Sequence, residues 1–377
     1  MATSALTLLL AAPALAEHNV PHAEGTTQFY GQVGKAITFL DDGFGQNMTV
    51  LDLDRASTRF GFTGEKQIRA GLVASLLVEG ELVSDSTATR FLNSDDAVSS
   101  INYDGASDPA GNFTERHARV GLTGDWGSVF MGRTSSATDG VTEKDLGNTT
   151  LVMGSDIYSL VGGALFVDGN NRTSHTQSFG ATFGNIEGFD QRNDADRVNL
   201  VRYDSPIWNG FQASVAVANG GDADLAINYN RQYSGFAVAA GVGFINWNND
   251  AAGLSDAEAF SGSIAVKFNN GLNFALAGGR FDQANAALED GDFQYVKVGY
   301  DTGNWGFGAD YGWSNQLGNV ATQFNDAESY GLAAQYDFGK GVQVGLSYRN
   351  VDTSDGNGAA NQRNDVDLLT AAMVVKF

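Results

Sequence analysis

Four imidazoles are available for acid-base or metal chemistry in this chain, His18, His22, His117 and His175, and their spacing organises neither. No H-x-x-x-H pair sets two of them on one helical face, and no G-x-S-x-G turn presents a nucleophile. Cysteine is absent from all 377 residues, which removes thiol catalysis, thiolate ligands and disulfides together. A Ser/His/acid set would have to be built on His117, the one histidine in a convincing strand-like run. Acids pair at Asp41-Asp42, Asp95-Asp96, Asp194 with Asp196 and Asp352 with Asp355; such pairs suit Ca²⁺, but solvated charge is their ordinary state. A formal charge of -22 argues against a nucleic-acid partner. The residues therefore predict no catalytic group, no metal site and no cofactor. What remains is charge that acts by its placement, and placement depends on the elements that carry it.

Those elements read as strands. The last thirteen residues, Asp365 to Phe377 (DVDLLTAAMVVKF), form one strand-like run that ends on an aromatic. A chain ending on a strand suggests a sheet closed by pairing its last strand with its first, and closure is how an all-strand structure satisfies its backbone in lipid. Beyond the N-terminus no apolar run approaches the ~18 residues that a spanning helix needs. The one apolar block, Ala5 to Ala16, has the length of a signal-peptide core and ends in Ala14-Leu15-Ala16, an A-x-A cleavage pattern, although no basic residue precedes it. Residues 1–16 are thus expected to be a signal peptide and 17–377 one domain.

Sixteen runs with period-2 alternation occupy 27–40, 55–65, 68–82, 115–125, 128–134, 196–204, 210–219, 223–232, 235–246, 258–268, 271–281, 292–301, 304–313, 327–337, 341–350 and 366–377. Their connections alternate in length. Seven are short (Gly64–Gly71, Gly124–Gly127, Ser205–Gly210, Tyr233–Gly235, Asn269–Gly271, Thr302–Asn304, Gly339–Gly341), and eight are generally longer and acidic, such as Asp41–Asp54 and Val83–Thr114. In 294–300 Val296, Val298 and Tyr300 alternate with Tyr295, Lys297 and Gly299, giving an apolar face and a small or polar one. Tyr203, Trp208, Phe211, Tyr233, Phe236, Phe268, Tyr300, Trp305, Tyr336 and Phe338 flank the short turns, as an interfacial girdle would. The fold class is all-β, a 16-stranded antiparallel transmembrane β-barrel. A soluble secreted β-rich binding protein is the alternative that alternation alone leaves open.

Five stretches resemble the trimeric general diffusion porins of Gram-negative outer membranes. They are FYGQVGKAITFLDDG (29–43), STRFGFTGEKQI (57–68), RHARVGLTGDWGSVFMGR (116–133), RVNLVRYDSPIWNGF (197–211) and the terminal Phe377, in the family's order. The resemblance implies a homotrimer in the outer membrane, in contact with lipid and lipopolysaccharide. It also implies a long third loop folded into the lumen. The connection from Thr134 to Ala195 has the length for that role, and Asp139, Glu143 and Asp145 are the acids expected at its constriction. A basic wall is carried over residue by residue. Arg59, Arg119 and Arg202 alternate with outward apolar neighbours and so point inward; Arg197 and Arg133 rest on the motif, since alternation turns Arg133 outward. Gln32 occupies a first-strand position where some relatives carry Lys, and with the acidic loops this leans the pore toward cations. The family's Pro-Glu-Phe-Gly-Gly loop element is missing. The expected function is passive diffusion of small hydrophilic solutes and ions, not catalysis; the alternative within transport, a substrate-specific channel, would need an aromatic track along the lumen.

Overall fold

Sixteen antiparallel strands close into a barrel in the computed structural model, which describes residues 25–43, 45–83, 86–88, 112–161, 164–168, 171–178, 197–248, 257–282, 290–315, 326–354 and 365–377. The expected signal peptide at 1–16, His18 and His22, and Asp95, Asp96, Asp194, Asp196 and Asp355 lie outside the described residues. The strands are β1 (Gly25–Asp41), β2 (Gln46–Asp52, resumed as Arg59–Arg69), β3 (Leu72–Val83), β4 (Asn112–Gly124), β5 (Gly127–Thr134), β6 (Val198–Asp204), β7 (Phe211–Ala218) and β8 (Ala223–Gln232). They continue as β9 (Phe236–Trp247), β10 (Ala257–Phe268), β11 (Leu272–Asp282), β12 (Gly291–Thr302), β13 (Trp305–Asn315), β14 (Asp326–Gly339), β15 (Val342–Ser354) and β16 (Val366–Lys376). Each pairs with the next, and β16 returns to β1 with Val33 opposite Val375 and Leu40 opposite Leu368. The terminal residue completes the seam: Gly31 N–H donates to the Phe377 carbonyl at 3.0 Å and Phe377 N–H returns the bond to Gly31 at 2.9 Å.

Two boundaries depart from the sequence reading. The expected loop 41–54 is a tight turn at 42–45 followed by Gln46–Asp52, which pairs with the second half of β1 while Arg59–Arg69 pairs with its first half. One strand is therefore interrupted at 53–58, where Asp54–Ala56 forms a single 3₁₀ turn. The turn expected at 64–71 is shorter, because β2 runs on to Arg69 and β3 starts at Leu72.

The pleat separates two surfaces. Outward side chains are apolar around the whole barrel, from Val33, Ile37 and Phe39 on β1 through Phe244, Ile264, Leu276 and Val298 to Leu369 and Met373 on β16, and all are exposed. A soluble protein seldom shows apolar surface on that scale, so the band matches hydrocarbon and the soluble β-rich binding protein is not favoured. Exposed aromatics close its lower edge, with Trp126 stacked on Tyr203 and Trp305 edge-on to Tyr336 beside short turns.

The inward face is less uniformly polar than alternation suggests. After β5, residues 135–161 lie against it, carrying one helical turn, α1 (Tyr158–Val161); Leu165–Asp168 and Asn171–Ser178 pair as a separate hairpin. Three apolar clusters join this segment to the wall. Ala137 and Val141 meet Leu200, Ala216 and Ile245; Leu151, Val152 and Met153 meet Ala36, Leu53 and Val374; Ile157, Leu160 and Val161 meet Leu40, Tyr295, Val351 and Leu368. A barrel of this size would enclose water if empty, so inward apolar residues survive only where another segment covers them.

Candidate functional site

Wall side chains hold segment 135–161 by its backbone, one strand after another. Asp224 on β8 accepts the N–H of Ala137 at 3.2 Å and both the N–H and hydroxyl of Thr138 at 2.7 Å. Ser263 on β10 donates to the Val141 carbonyl at 2.6 Å and accepts Lys144 N–H at 3.0 Å. Asp301 on β12 accepts Asn148 N–H at 3.1 Å, and Gln335 on β14 accepts Leu151 N–H at 2.9 Å. At the break in β2, Arg55 donates to the Thr150 carbonyl at 2.6 Å. Irregular backbone buried at this depth needs such partners, because each unmet N–H or C=O is costly.

The acids named from sequence fall on this segment. Asp145 forms an ion pair with Lys297 of β12, whose side chain has no solvent exposure. Glu143 lies 3.7 Å from Arg55, which Asp156 approaches at 4.0 Å from the other side. Asp139 is exposed. Burial beside the Glu143 charge pushes the Asp156 carboxyl up to about 6, with Arg55 opposing the shift.

A second charge group lines β1 to β6. Arg59 sits opposite Gln32, both inward, and its Nε is 3.8 Å from Glu79 on β3. Glu79 also accepts the Tyr30 hydroxyl at 2.7 Å and Arg116 Nε at 2.8 Å, while Arg116 reaches Glu81 at 2.6 Å. Arg119 lies 3.9 Å over the Phe130 ring, and Gln32 donates to the Ser57 carbonyl at 2.9 Å. Arg202 bonds Asp204 at 2.7 Å and the Ser136 carbonyl at 2.7 Å, so it anchors the start of the loop. Arg197 lies just before β6 and donates to His117 Nε2 at 3.1 Å; His117 Nδ1 meets Thr134 at 3.0 Å. Arg133 is the correction. It stands opposite Ala118 and Asn199, in phase with outward Met131, and donates to the Glu115 carbonyl at 2.8 Å, so it leaves the inward set.

Arg116, Arg55 and Lys297 are among the cations that stand outside the candidate set. Arg116 occupies a β-bulge where Glu79 opposes His117 and Gly80 opposes Glu115, so simple parity gives it the wrong side. Arg55 sits in the interruption of β2, where period-2 reasoning has no phase. Lys297 was visible, since Val296 and Val298 on either side face outward.

Comparisons with known proteins agree with this geometry. A sequence profile of the Gram-negative porin family matches residues 2–356. No curated protein matches the chain in sequence. Among solved structures, the anion-selective porin from Comamonas acidovorans has a TM-score of 0.60 at 16% identity, covering 94% of this chain and 100% of that one. OmpF of Salmonella typhi in complex with daunomycin gives 0.59 at 16%, covering 95% and 100%. In-vitro folded OmpT of Vibrio cholerae in its trimer form gives 0.57 at 16%, covering 94% and 99%.

Proposed function

The chain belongs to the Gram-negative porin family, and on that premise we propose that its outer-membrane barrel is a general diffusion channel passing small hydrophilic solutes and ions down their gradients. The observation that carries the reading is segment 135–161, laid along the inner wall by Asp224, Ser263, Asp301, Gln335 and Arg55. Such a segment narrows a sixteen-stranded lumen without filling it from side chains alone. Opposed charges, with Arg59, Arg119, Arg197 and Arg202 on one stretch of wall and Asp139, Glu143 and Asp145 on the loop, set a transverse field. That field orders water and disfavours apolar solutes, which cannot replace the water they displace.

Selectivity leans toward cations, because Gln32 leaves the first strand without a charge there and the chain carries -22 overall. A substrate-specific channel is not favoured: among the described residues Trp247, Phe293 and Tyr295 are buried at 1%, 0% and 3% exposure, and the half-buried Tyr30 and Phe130 are taken up by Glu79 and Arg119. We further propose that residues 1–16 are a removed signal peptide and that three copies assemble in contact with lipid and lipopolysaccharide. Liposome swelling with sugars of graded size, alongside single-channel conductance of the purified protein, tests the channel. Permeation that falls smoothly with solute size is expected; no conductance from correctly folded barrels would overturn it.

A further inference from the structure

The interruption of β2 places a guanidinium where an unbroken strand would place none. Residues 53–58 bend inward until the Ala56 carbonyl would lie 1.8 Å from any Cβ on Gly34, so only glycine at 34 admits the bend. The bend delivers Arg55 into segment 142–159, with its side chain only 10% exposed. Its Nε donates to the Thr150 carbonyl at 2.6 Å and Nη1 to the Asp156 carbonyl at 3.3 Å, while Glu143 and Asp156 flank its charge. Gly154 is fitted to it, since a Cβ there would sit 2.1 Å from Arg55 Nη2. The bend itself is braced from outside. Ser86 donates to Asp54 at 3.3 Å, Thr87 accepts Asp54 N–H at 3.2 Å and donates to the Ser159 carbonyl at 2.6 Å. Break, loop and residues 86–88 thus form one junction.

We propose that Arg55 is a positioning residue for selectivity: it fixes the loop to the wall at Thr150 and Asp156 and controls how much negative charge Glu143 and Asp156 present to passing ions. The inference rests on the channel reading above and goes beyond it: there Arg55 only helps to anchor the loop, whereas here it also sets the charge that Glu143 and Asp156 present. Arginine suits the role, since its planar fork reaches two carbonyls and two carboxylates while staying charged. The charged or titratable groups around Arg55 are Glu143, Lys144, Asp145 and Asp156 from the loop and Tyr295 from β12, with Lys297 paired to Asp145. Among them the Asp156 carboxyl, raised to about 6, titrates in an accessible range.

The test is reversal potential in a KCl gradient across planar bilayers, measured from about pH 4 to about pH 9, roughly 2 units below and 3 above that carboxyl's value of about 6. Wild-type channels should lose cation preference as pH falls through about 6. Arg55→Gln removes the charge that favours the carboxylate, so the midpoint should rise by about 1–3 units and open-channel noise should grow. Arg55→Lys should restore the midpoint but not the quiet current, because a point charge cannot bridge both carbonyls. An Arg55→Gln channel with wild-type midpoint and noise overturns the proposal. If that variant fails to show the heat-modifiable migration of a folded barrel, Asp156→Asn in the otherwise wild-type chain decides: loss of the pH step supports the proposal and its persistence overturns it. A wild type that never conducts sinks the channel reading instead, whereas conducting, indistinguishable variants sink only the role of Arg55.

Discussion

A carboxylate and an ammonium shut away from water are stable only together, and Asp145 with Lys297 is the sharpest case in this lumen, at 7% and 0% side-chain exposure. Removing one partner of such a pair costs about 3–5 kcal/mol, most of it from the charge left behind, whereas removing both can be close to neutral. Lys297→Met should therefore lower the temperature at which the folded gel band converts to the unfolded one, and should add current noise. Combining it with Asp145→Asn should recover most of both losses; equal damage in the single and double variants would refute the pairing. Half of this pair was legible in sequence. Lys297 alternates against Val296 and Val298, so its inward direction follows from the pleat. Its partner, 152 residues away, did not, because nothing local in a loop of this kind says which strand it will cross. The same limit hides from the sequence that Arg59 approaches Glu79 and that Arg119 stacks on Phe130.

Strands and turns were the most readable level, and the two places where reading failed are places where a strand departs from regularity. The bulge at Arg116 shifts the phase by one residue and brings a guanidinium inward beside His117. The break in β2 hides Arg55 and made Gln46–Asp52 look like loop, although Met48 and Val50 alternate outward there as in any other strand. Elsewhere tight turns fix the register: Lys340 at φ 53° between two glycines joins β14 to β15. In outer-membrane barrels short turns face the periplasm and longer connections the outside, and the same orientation is proposed for this one. The chain has no cysteine, so single introduced thiols report cleanly. In intact cells an impermeant maleimide should label Asp355→Cys, in the connection after β15, and miss Lys340→Cys; the opposite pattern would invert the orientation.

Closure of the whole barrel could be anticipated from its last strand, whereas assembly was implied only by the family resemblance, because lipid and a neighbouring subunit demand the same apolar outer surface. Lys35 is a charge set within that surface. It points outward among Val33, Ile37 and Phe39, where a lysine facing lipid at mid-depth costs about 2–4 kcal/mol. Part of that cost is met within the chain, since Lys35 pairs with Asp52 across β1 and β2 and Asp52 also accepts the Thr58 hydroxyl at 3.2 Å. The pair is still half open to its surroundings, with Lys35 at 50% exposure, and a subunit contact on β1 would complete its burial. The detergent-solubilised protein should then run as an SDS-resistant trimer. Ile37 on β1 and Ile264 on β10 offer a matched comparison, being outward and 41% and 44% exposed. Ile37→Ser should lower the temperature at which trimers release monomers, because it removes apolar area from the contact, while Ile264→Ser should leave that temperature unchanged. A monodisperse monomer in mild detergent, or equal sensitivity at the two positions, would leave Lys35 and Asp52 as a lipid-facing pair and remove β1 from any contact between subunits.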